Sequence, residues 1–290
     1  MDKNKQQIIK PGLYIVSTPI GNMEDVTFRA LNILKKSDII LCEDTRRSSN
    51  LLSYYKIEKK LFSYHKFNEK KNSEKIVNLI KENKIVSLIS DAGTPTISDP
   101  GLVLINKCIK EGLNIFPIPG PSAVTAAMSI SGFDDKYLFY GFLPKKNKDI
   151  EKVCNKLTDI DFNLVFFIPV IKINFYTKYF VKFFKERNIF VARELTKAHE
   201  TFYRGNLENF KGISKDLKGE ITVVLSKKNI GININKEIIL NQEQLKLDIS
   251  KYLKRYTLKD VVKLISEKNN LSKKKVYELC LKLKKNEKNY

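Results

Sequence analysis

The chain has little of what metal, disulfide and membrane proteins are built on. Its two histidines, His65 and His199, stand far apart with no companion ligands. Metal sites draw on clustered His, Cys and carboxylates, so none is expected. The four cysteines, Cys42, Cys108, Cys154 and Cys280, form no Cys-x-x-Cys pair, which argues against a structural zinc or a disulfide framework. No apolar run reaches the roughly 18 to 20 residues of a membrane span. The opening Met1-Asp2-Lys3-Asn4-Lys5-Gln6 carries no apolar export core, so the expected compartment is the reduced cytoplasm. No Gly-x-Gly-x-x-Gly follows the first apolar run, and no Walker loop or nucleophile elbow is present. That removes the common dinucleotide and P-loop readings and leaves a Ser-His-Asp arrangement without its usual motif.

Arginine is scarce too, with seven residues, yet lysine is so abundant that the net charge is +21. Such a balance favours polyanionic partners, chiefly nucleic acid. Part of the excess reflects a Lys-, Asn- and Ile-rich composition of the kind an AT-rich genome produces. With 290 residues and 42% apolar content, the chain is long enough for two medium domains with cores of their own.

Short apolar runs alternate with amphipathic stretches over the first 130 residues. Strands are predicted at 12–17, 37–42, 85–89 and 114–118, and helices at 25–36 (with Asp25 as cap), 45–55, 69–83, 101–111 and 122–130 (with Ser122 as cap). Alternation of this kind implies an α/β layer with a mainly parallel sheet. After Gly132-Phe133-Asp134-Asp135 a second series follows, with strands at 137–142, 163–168, 189–193, 201–204 and 221–225. Helices are predicted between them at 148–157, 172–186 and 206–217. Several connections are short, so more antiparallel pairing is expected. From about 240 the segments 242–256, 258–268 and 272–285 read as basic amphipathic helices, with Thr257 and Ser272 as caps. Residues 236–290 carry 15 Lys/Arg against 7 Asp/Glu, a net +8. Three short basic helices fit a nucleic-acid-binding appendage, and equally a solvated tail on the body or on a partner copy.

The expected architecture is therefore two α/β domains, at 12–121 and 122–232, and a basic helical appendage at 240–290. Three Pro- and Gly-rich loops follow predicted strands: Ser17-Thr18-Pro19-Ile20-Gly21-Asn22, residues 90–101 (Ser-Asp-Ala-Gly-Thr-Pro-Thr-Ile-Ser-Asp-Pro-Gly), and Pro117-Ile118-Pro119-Gly120-Pro121-Ser122-Ala123. Open α/β sheets bind ligands at this edge. Glycines let backbone approach a ligand, and prolines limit the entropy lost on binding. Asp91 and Asp99 are placed to accept hydrogen bonds or balance a cation. That suits a ligand with a ribose, an amino-acid head and a sulfonium. Any one of these loops reads as an ordinary turn, with Asp as turn former; three together point to one built pocket.

These loops, with Glu43-Asp44-Thr45-Arg46, Gly141-Phe142-Leu143-Pro144, Ala192-Arg193-Glu194-Leu195-Thr196-Lys197-x-x-Glu200-Thr201 and Gly219-Glu220-Ile221-Thr222-Val223, occur in an order and spacing that holds from about residue 12 to 226. The combination resembles the small-subunit ribosomal RNA ribose methyltransferases, of the tetrapyrrole-methylase-like class. The resemblance implies two α/β domains, S-adenosylmethionine in the cleft between them, a homodimer, and methylation of a cytidine ribose 2′-oxygen in the decoding centre of 16S rRNA, within the small ribosomal subunit. Carried over by position, the cofactor contacts fall on Ile20, Asp91, Thr94, Ser122, Ala123, Phe167 and Leu195. One stretch departs from the pattern. After Leu164-Val165-Phe166 the family usually shows Tyr-Glu-Ser-Pro-His-Arg, where this chain has Phe167-Ile168-Pro169-Val170-Ile171-Lys172. Residues 145–149 also lack the usual Lys-Gly-Arg-Arg.

A ribose hydroxyl is a weak nucleophile, so a base or polarising cation helps its alkylation. Glu43, Asp44, Arg46, Arg193, Glu194, Lys197 and Glu200 stand in charged motifs just past strands. Each reads equally as an ion-pair or cap residue. Within this set Arg46 and Lys197 are expected to orient phosphate or ribose, with Glu200 as base. Two other functions remain open: a porphyrinoid methyltransferase, and an RNA-binding factor that kept the fold without the catalysis.

Overall fold

The computed structural model describes residues 9–210, 212, 219–228, 249–253, 256–269 and 276–280. The chain divides into two compact units, Met1–Lys228 and Asn229–Tyr290.

The first unit opens with a parallel sheet of β1 (Gly12–Val16), β2 (Ile39–Cys42), β3 (Leu61–Ser63), β4 (Ile85–Leu88) and β5 (Ile115–Ile118), in the order β3-β2-β4-β1-β5. Helices α1 (Phe28–Lys36), α2 (Thr45–Tyr54), α3 (Glu69–Lys81) and α4 (Leu102–Lys110) connect the strands. Both faces are covered. Leu13, Leu41, Val86 and Leu88 pack with Ile76, Ile80, Leu104 and Cys108. Tyr14, Val16, Ile40 and Cys42 pack with Ala30, Ile33, Leu34 and Leu52. Burial on both sides is why these strands read as continuous apolar runs rather than alternating ones. Two local details differ from the sequence reading. Asp25 ends a separate 3-10 turn, Met23–Asp25, and α1 is capped by Thr27, whose Oγ1 accepts from the Ala30 amide at 3.1 Å. The edge strand β3, three residues long, is too short for its periodicity to register in the sequence.

The chain then crosses to a second sheet through α5 (Ala123–Ser131). Ser122 stands at its N-terminus without a side-chain capping bond. The second sheet holds β6 (Tyr137–Phe142), β7 (Asn163–Pro169), β8 (Asn188–Arg193), β9 (Thr201–Asn206) and β10 (Glu220–Leu225), in the order β6-β7-β10-β8-β9. Only β6 and β7 are parallel; the other three pairings are antiparallel. Helices α6 (Asn147–Leu157) and α7 (Ile173–Phe184) cover one face around Phe166, Phe180 and Val223, and α5 covers the other around Val165, Phe190 and Val224. Buried Arg187 ties the start of β8 to its neighbours by donating to the carbonyls of Phe162 and Ser226, each at 2.8 Å.

The helix predicted at 206–217 is not there at its start. Residue 206 closes β9, Leu207–Asn209 make one 3-10 turn, and Phe210 is extended; 211 and 213–218 lie outside the described residues.

In the second unit residues 249–253 and 276–280 are helical, as is α8 (Leu258–Asn269), around Ile249, Val261, Ile265, Val276 and Cys280. Thr257 caps α8: its Oγ1 accepts from the Asp260 amide at 3.4 Å and its hydroxyl donates to Asp260 Oδ2 at 2.5 Å. Ser272 lies outside the described residues. No helix among the described residues is long and apolar enough to cross a membrane.

Candidate active site

The three loops at the carboxyl edge of the first sheet are bonded to one another. Thr18 and Gly93 exchange backbone hydrogen bonds at 2.9 and 3.0 Å. The Thr18 hydroxyl donates to the Ser90 carbonyl at 3.2 Å. Ser17 Oγ meets Thr94 Oγ1 at 3.0 Å, and Thr94 donates on to the Pro121 carbonyl at 3.1 Å. Gly120 is needed for this closeness, since a Cβ there would stand 2.9 Å from Ser17 Cβ. The segment 94–98 is held in an uncommon backbone, with Thr96 and Ser98 at φ of 71° and 73°. Such non-glycine conformations cost roughly 1–3 kcal/mol each and persist where surrounding bonds over-determine them.

The second sheet supplies the facing wall. Its turn after β8 has Glu194 at φ 52° and Thr196 at φ 65°. It approaches the first sheet closely enough that the Asn22 amide donates to Thr196 Oγ1 at 3.0 Å. Here Gly21 is required, because a Cβ on it would lie 2.4 Å from Lys197 Cγ.

Between these walls lies a cavity of about 470 Å³, within the usual size for a small-molecule site. Its lining has two characters. Ile20, Ala123, Phe167, Ala192, Leu195 and Ile221 make an apolar side; Glu43, Asp91 and Asp99 make an acidic rim, joined by Arg47. Arg47 Nη1 stands 3.6 Å from Asp91 Oδ2, and Asp91 Oδ1 accepts from the Asp44 amide at 3.2 Å. Burial, and then the charge of Glu43, push the Asp99 carboxyl up to about 6, against a hydrogen bond from Ser90. Burial, and then Asp91, also raise Glu43.

A charged clamp also lines the cavity. Lys197 Nζ donates to Glu194 Oε1 at 3.0 Å and Glu220 Oε2 at 3.1 Å, and the Glu220 amide donates to Glu194 Oε1 at 2.9 Å. Burial alone would lower the Lys197 ammonium, but the two carboxylates outweigh it and hold it above the ordinary lysine value. Burial likewise works to raise Glu194, and the hydrogen bonds from Glu220 and Lys197 bring it below the ordinary value instead.

Ile20, Asp91, Thr94, Ser122, Ala123, Phe167 and Leu195 all line this one cavity, and so does Lys197. Arg46 and Glu200 do not. The Arg46 side chain is 89% exposed and bound to Asp44 through Nε–Oδ1 at 3.1 Å and Nη2–Oδ2 at 2.8 Å. That pair, with the amide of Arg46 capped by Asp44, holds the Asp44 carboxyl down at about 2. The neighbouring Arg47 takes the place on the wall. Glu200 Oε1 accepts from the Thr196 amide at 2.7 Å, which makes it a brace of the β8–β9 turn. Phe142, Gly219 and Thr222 also line the cavity. No sequence signal marks them individually; each stands only within a motif. Where the family pattern has an acid, Ile168 lines the wall, and where it has a histidine, Ile171 lies exposed in a 3-10 turn. No group of His, Cys, Asp and Glu among the described residues has the geometry to hold a metal.

A family model described as "Tetrapyrrole (Corrin/Porphyrin) Methylases" matches residues 12–211, two thirds of the chain and every wall of the cavity but the β10 side. The chain belongs to the tetrapyrrole methylase family. Its similarity to one branch is closer still. Ribosomal RNA small subunit methyltransferase I of Thermotoga maritima is 43% identical over 219 residues, 74% of this chain and 98% of that protein. The protein of the same name from Rickettsia prowazekii is 40% identical over 282 residues, 96% of this chain and 99% of that one. Among solved structures, diphthine synthase superposes with a TM-score of 0.59 at 15% identity, covering 74% of this chain and 89% of that one. A uroporphyrin-III-C-methyltransferase from Thermus thermophilus gives 0.54 at 16%, covering 75% and 94%. These two share the tetrapyrrole methylase fold.

Proposed function

We propose that the chain transfers a methyl group from S-adenosylmethionine to the ribose 2′-oxygen of a decoding-centre cytidine in 16S rRNA, acting on the small ribosomal subunit in the cytoplasm as a homodimer. The observation that carries the reading is convergence: the seven positions implied for the cofactor lie on one cavity, in a chain 40% identical along nearly its whole length to a protein named for small-subunit RNA methylation.

The cavity fits such a cofactor chemically. The apolar side of Ile20, Ala123, Phe167 and Leu195 suits an adenine ring, and the acidic rim of Glu43, Asp91 and Asp99 suits a ligand whose sulfonium and ammonium are positive. Bound there, S-adenosylmethionine supplies an electrophilic methyl group. The protein's part is alignment: rigid loops fix the acceptor in line with the methyl and the leaving sulfur, which removes much of the entropic barrier. The hydroxyl proton passes to the acidic rim, where a carboxylate oxygen of Asp99 is the acceptor. Glu200, expected as the base, stands off the cavity as a brace. Lys197, clamped by two carboxylates, orients the ribose, and exposed Arg46 meets phosphate outside the cavity.

Purified protein, labelled S-adenosylmethionine and small ribosomal subunits test the reading. Mass-spectrometric mapping is expected to find one new methyl on a cytidine ribose. Methylation on a base, uptake by a porphyrin precursor instead of RNA, or binding of RNA without transfer would overturn it.

A further inference from the structure

Side chains on a strand alternate between faces, so residues three apart point opposite ways. Strand β6 breaks this rule. Phe139 pairs with Val165 and Phe142 with Phe167, because the register shifts between Phe139 and Gly141. Val165 and Phe167 belong to the face of β7 that packs with α5 and the cavity. The extra residue returns Phe142 to that same face, while Tyr140 packs into the core under α6 and α7. Bulges of this kind re-aim side chains next to active sites. Gly141, at φ 83°, accommodates the turn. A Cβ on it would come to 3.0 Å from Ser98 Oγ, so glycine also admits the 94–98 loop over the strand.

The bulge delivers a large aromatic ring that lines the cavity yet is 58% exposed. The Phe142 ring is steadied on one side by Phe167, with centroids 5.5 Å apart at 59°, and Phe167 leans in turn on Phe139 at 4.9 Å and 65°. A phenylalanine kept for packing is buried; this one is anchored along one side and otherwise open. RNA-binding proteins hold unstacked bases on such rings. The deeper apolar positions, Phe167 and Leu195, are those assigned to the cofactor, so the exposed ring is left for the second substrate. We propose that Phe142 is a stacking platform for a nucleobase of the RNA, and that it sets the target ribose at the cavity mouth. This rests on the RNA reading above.

The chain contains no tryptophan, so Phe142→Trp installs a single indole at the platform. Its fluorescence is expected to be quenched on adding small-subunit RNA and to stay unchanged on adding S-adenosylmethionine. With small subunits as substrate, Phe142→Ala and Phe142→Leu are each expected to lose about 10- to 100-fold in kcat/KM, the usual worth of one stacked base, while Phe142→Tyr retains most of it. Calorimetric affinity for S-adenosylmethionine stays unchanged in all three. Leucine performing as well as phenylalanine would reduce the residue to apolar filling and overturn the proposal. Loss of cofactor affinity would make the ring an adenine platform and overturn it equally. Absence of transfer by the wild-type chain fails the methyltransferase reading alone, because the indole quench still reads base stacking.

Discussion

Asp99 stands where water is partly removed and two other carboxylates line the same rim. Its carboxyl titrates at 3.8 in the ordinary case and at about 6 in the fold. The native protein therefore grips this proton more tightly than the unfolded chain does. The stability this confers is complete below 3.8 and lost as pH rises through about 6. Function runs the other way, because only the ionised carboxylate accepts a proton or faces a cation favourably. The kcat/KM for S-adenosylmethionine, which reports the free protein, is expected to rise with pH through an inflection near 6. Asp99→Asn is expected to abolish that inflection and to slow transfer about 100-fold or more, the usual worth of a positioned base. Melting temperatures test the stability half: relative to wild type, the Asn variant should gain between pH 5 and 8. An Asn variant that keeps the same pH profile would remove Asp99 from the chemistry. Asp99 is legible in the sequence as a member of a ligand loop. Its neighbour Glu43 arrives from the end of a different strand, and that pairing exists only in three dimensions.

The turn after β8 and the start of β10 form one device, and a glycine decides whether it assembles. Gly219 has φ 114°, and a Cβ on it would sit 2.4 Å from Glu194 Cδ. That carboxylate holds both the Glu220 amide and Lys197. Gly219→Ala is expected to destabilise the fold by about 2–3 kcal/mol, more than backbone strain alone, and to depress cofactor affinity with it. Gly112 is the matched comparison, since it has φ 66° and a Cβ added there would meet nothing within 4 Å. Gly112→Ala should cost only the left-handed penalty of about 1–2 kcal/mol and leave binding alone. Equal losses in urea denaturation would show that the Glu194 clash is relieved and the clamp survives. Most strands of this first unit are legible in the sequence, buried ones and the more exposed β6 alike. Strands β1, β2 and β4, covered on both faces and bounded by turn-forming or polar residues, stand within a residue or two of their expected bounds. Strand β9 is almost wholly exposed at an edge, so its last residue and the 3-10 turn beyond it read as a helix in the sequence. The β6 bulge leaves no trace there, because Tyr-Gly-Phe reads equally well as an unbroken strand.

Charge is the property that belongs to the whole chain. Of the net +21, residues 236–290 hold +8 in a fifth of the length. The T. maritima relative is matched almost whole by three quarters of this chain, so a body without a counterpart to the remainder is a reasonable unit to isolate, and Met1–Lys228 is compact by itself. If the tail meets RNA, its cations release counterions from phosphate, and affinity inherits a salt dependence from them. A chain ending at Lys228 should bind S-adenosylmethionine as the full chain does, while its RNA affinity falls. The slope of log affinity against log salt separates contact from mere attraction at a distance. Four tail cations on phosphate would make the slope shallower by about 3 on truncation. Equal slopes in both proteins would mean that the basic helices face the body or a second copy, and that the methylase body carries the RNA contacts by itself.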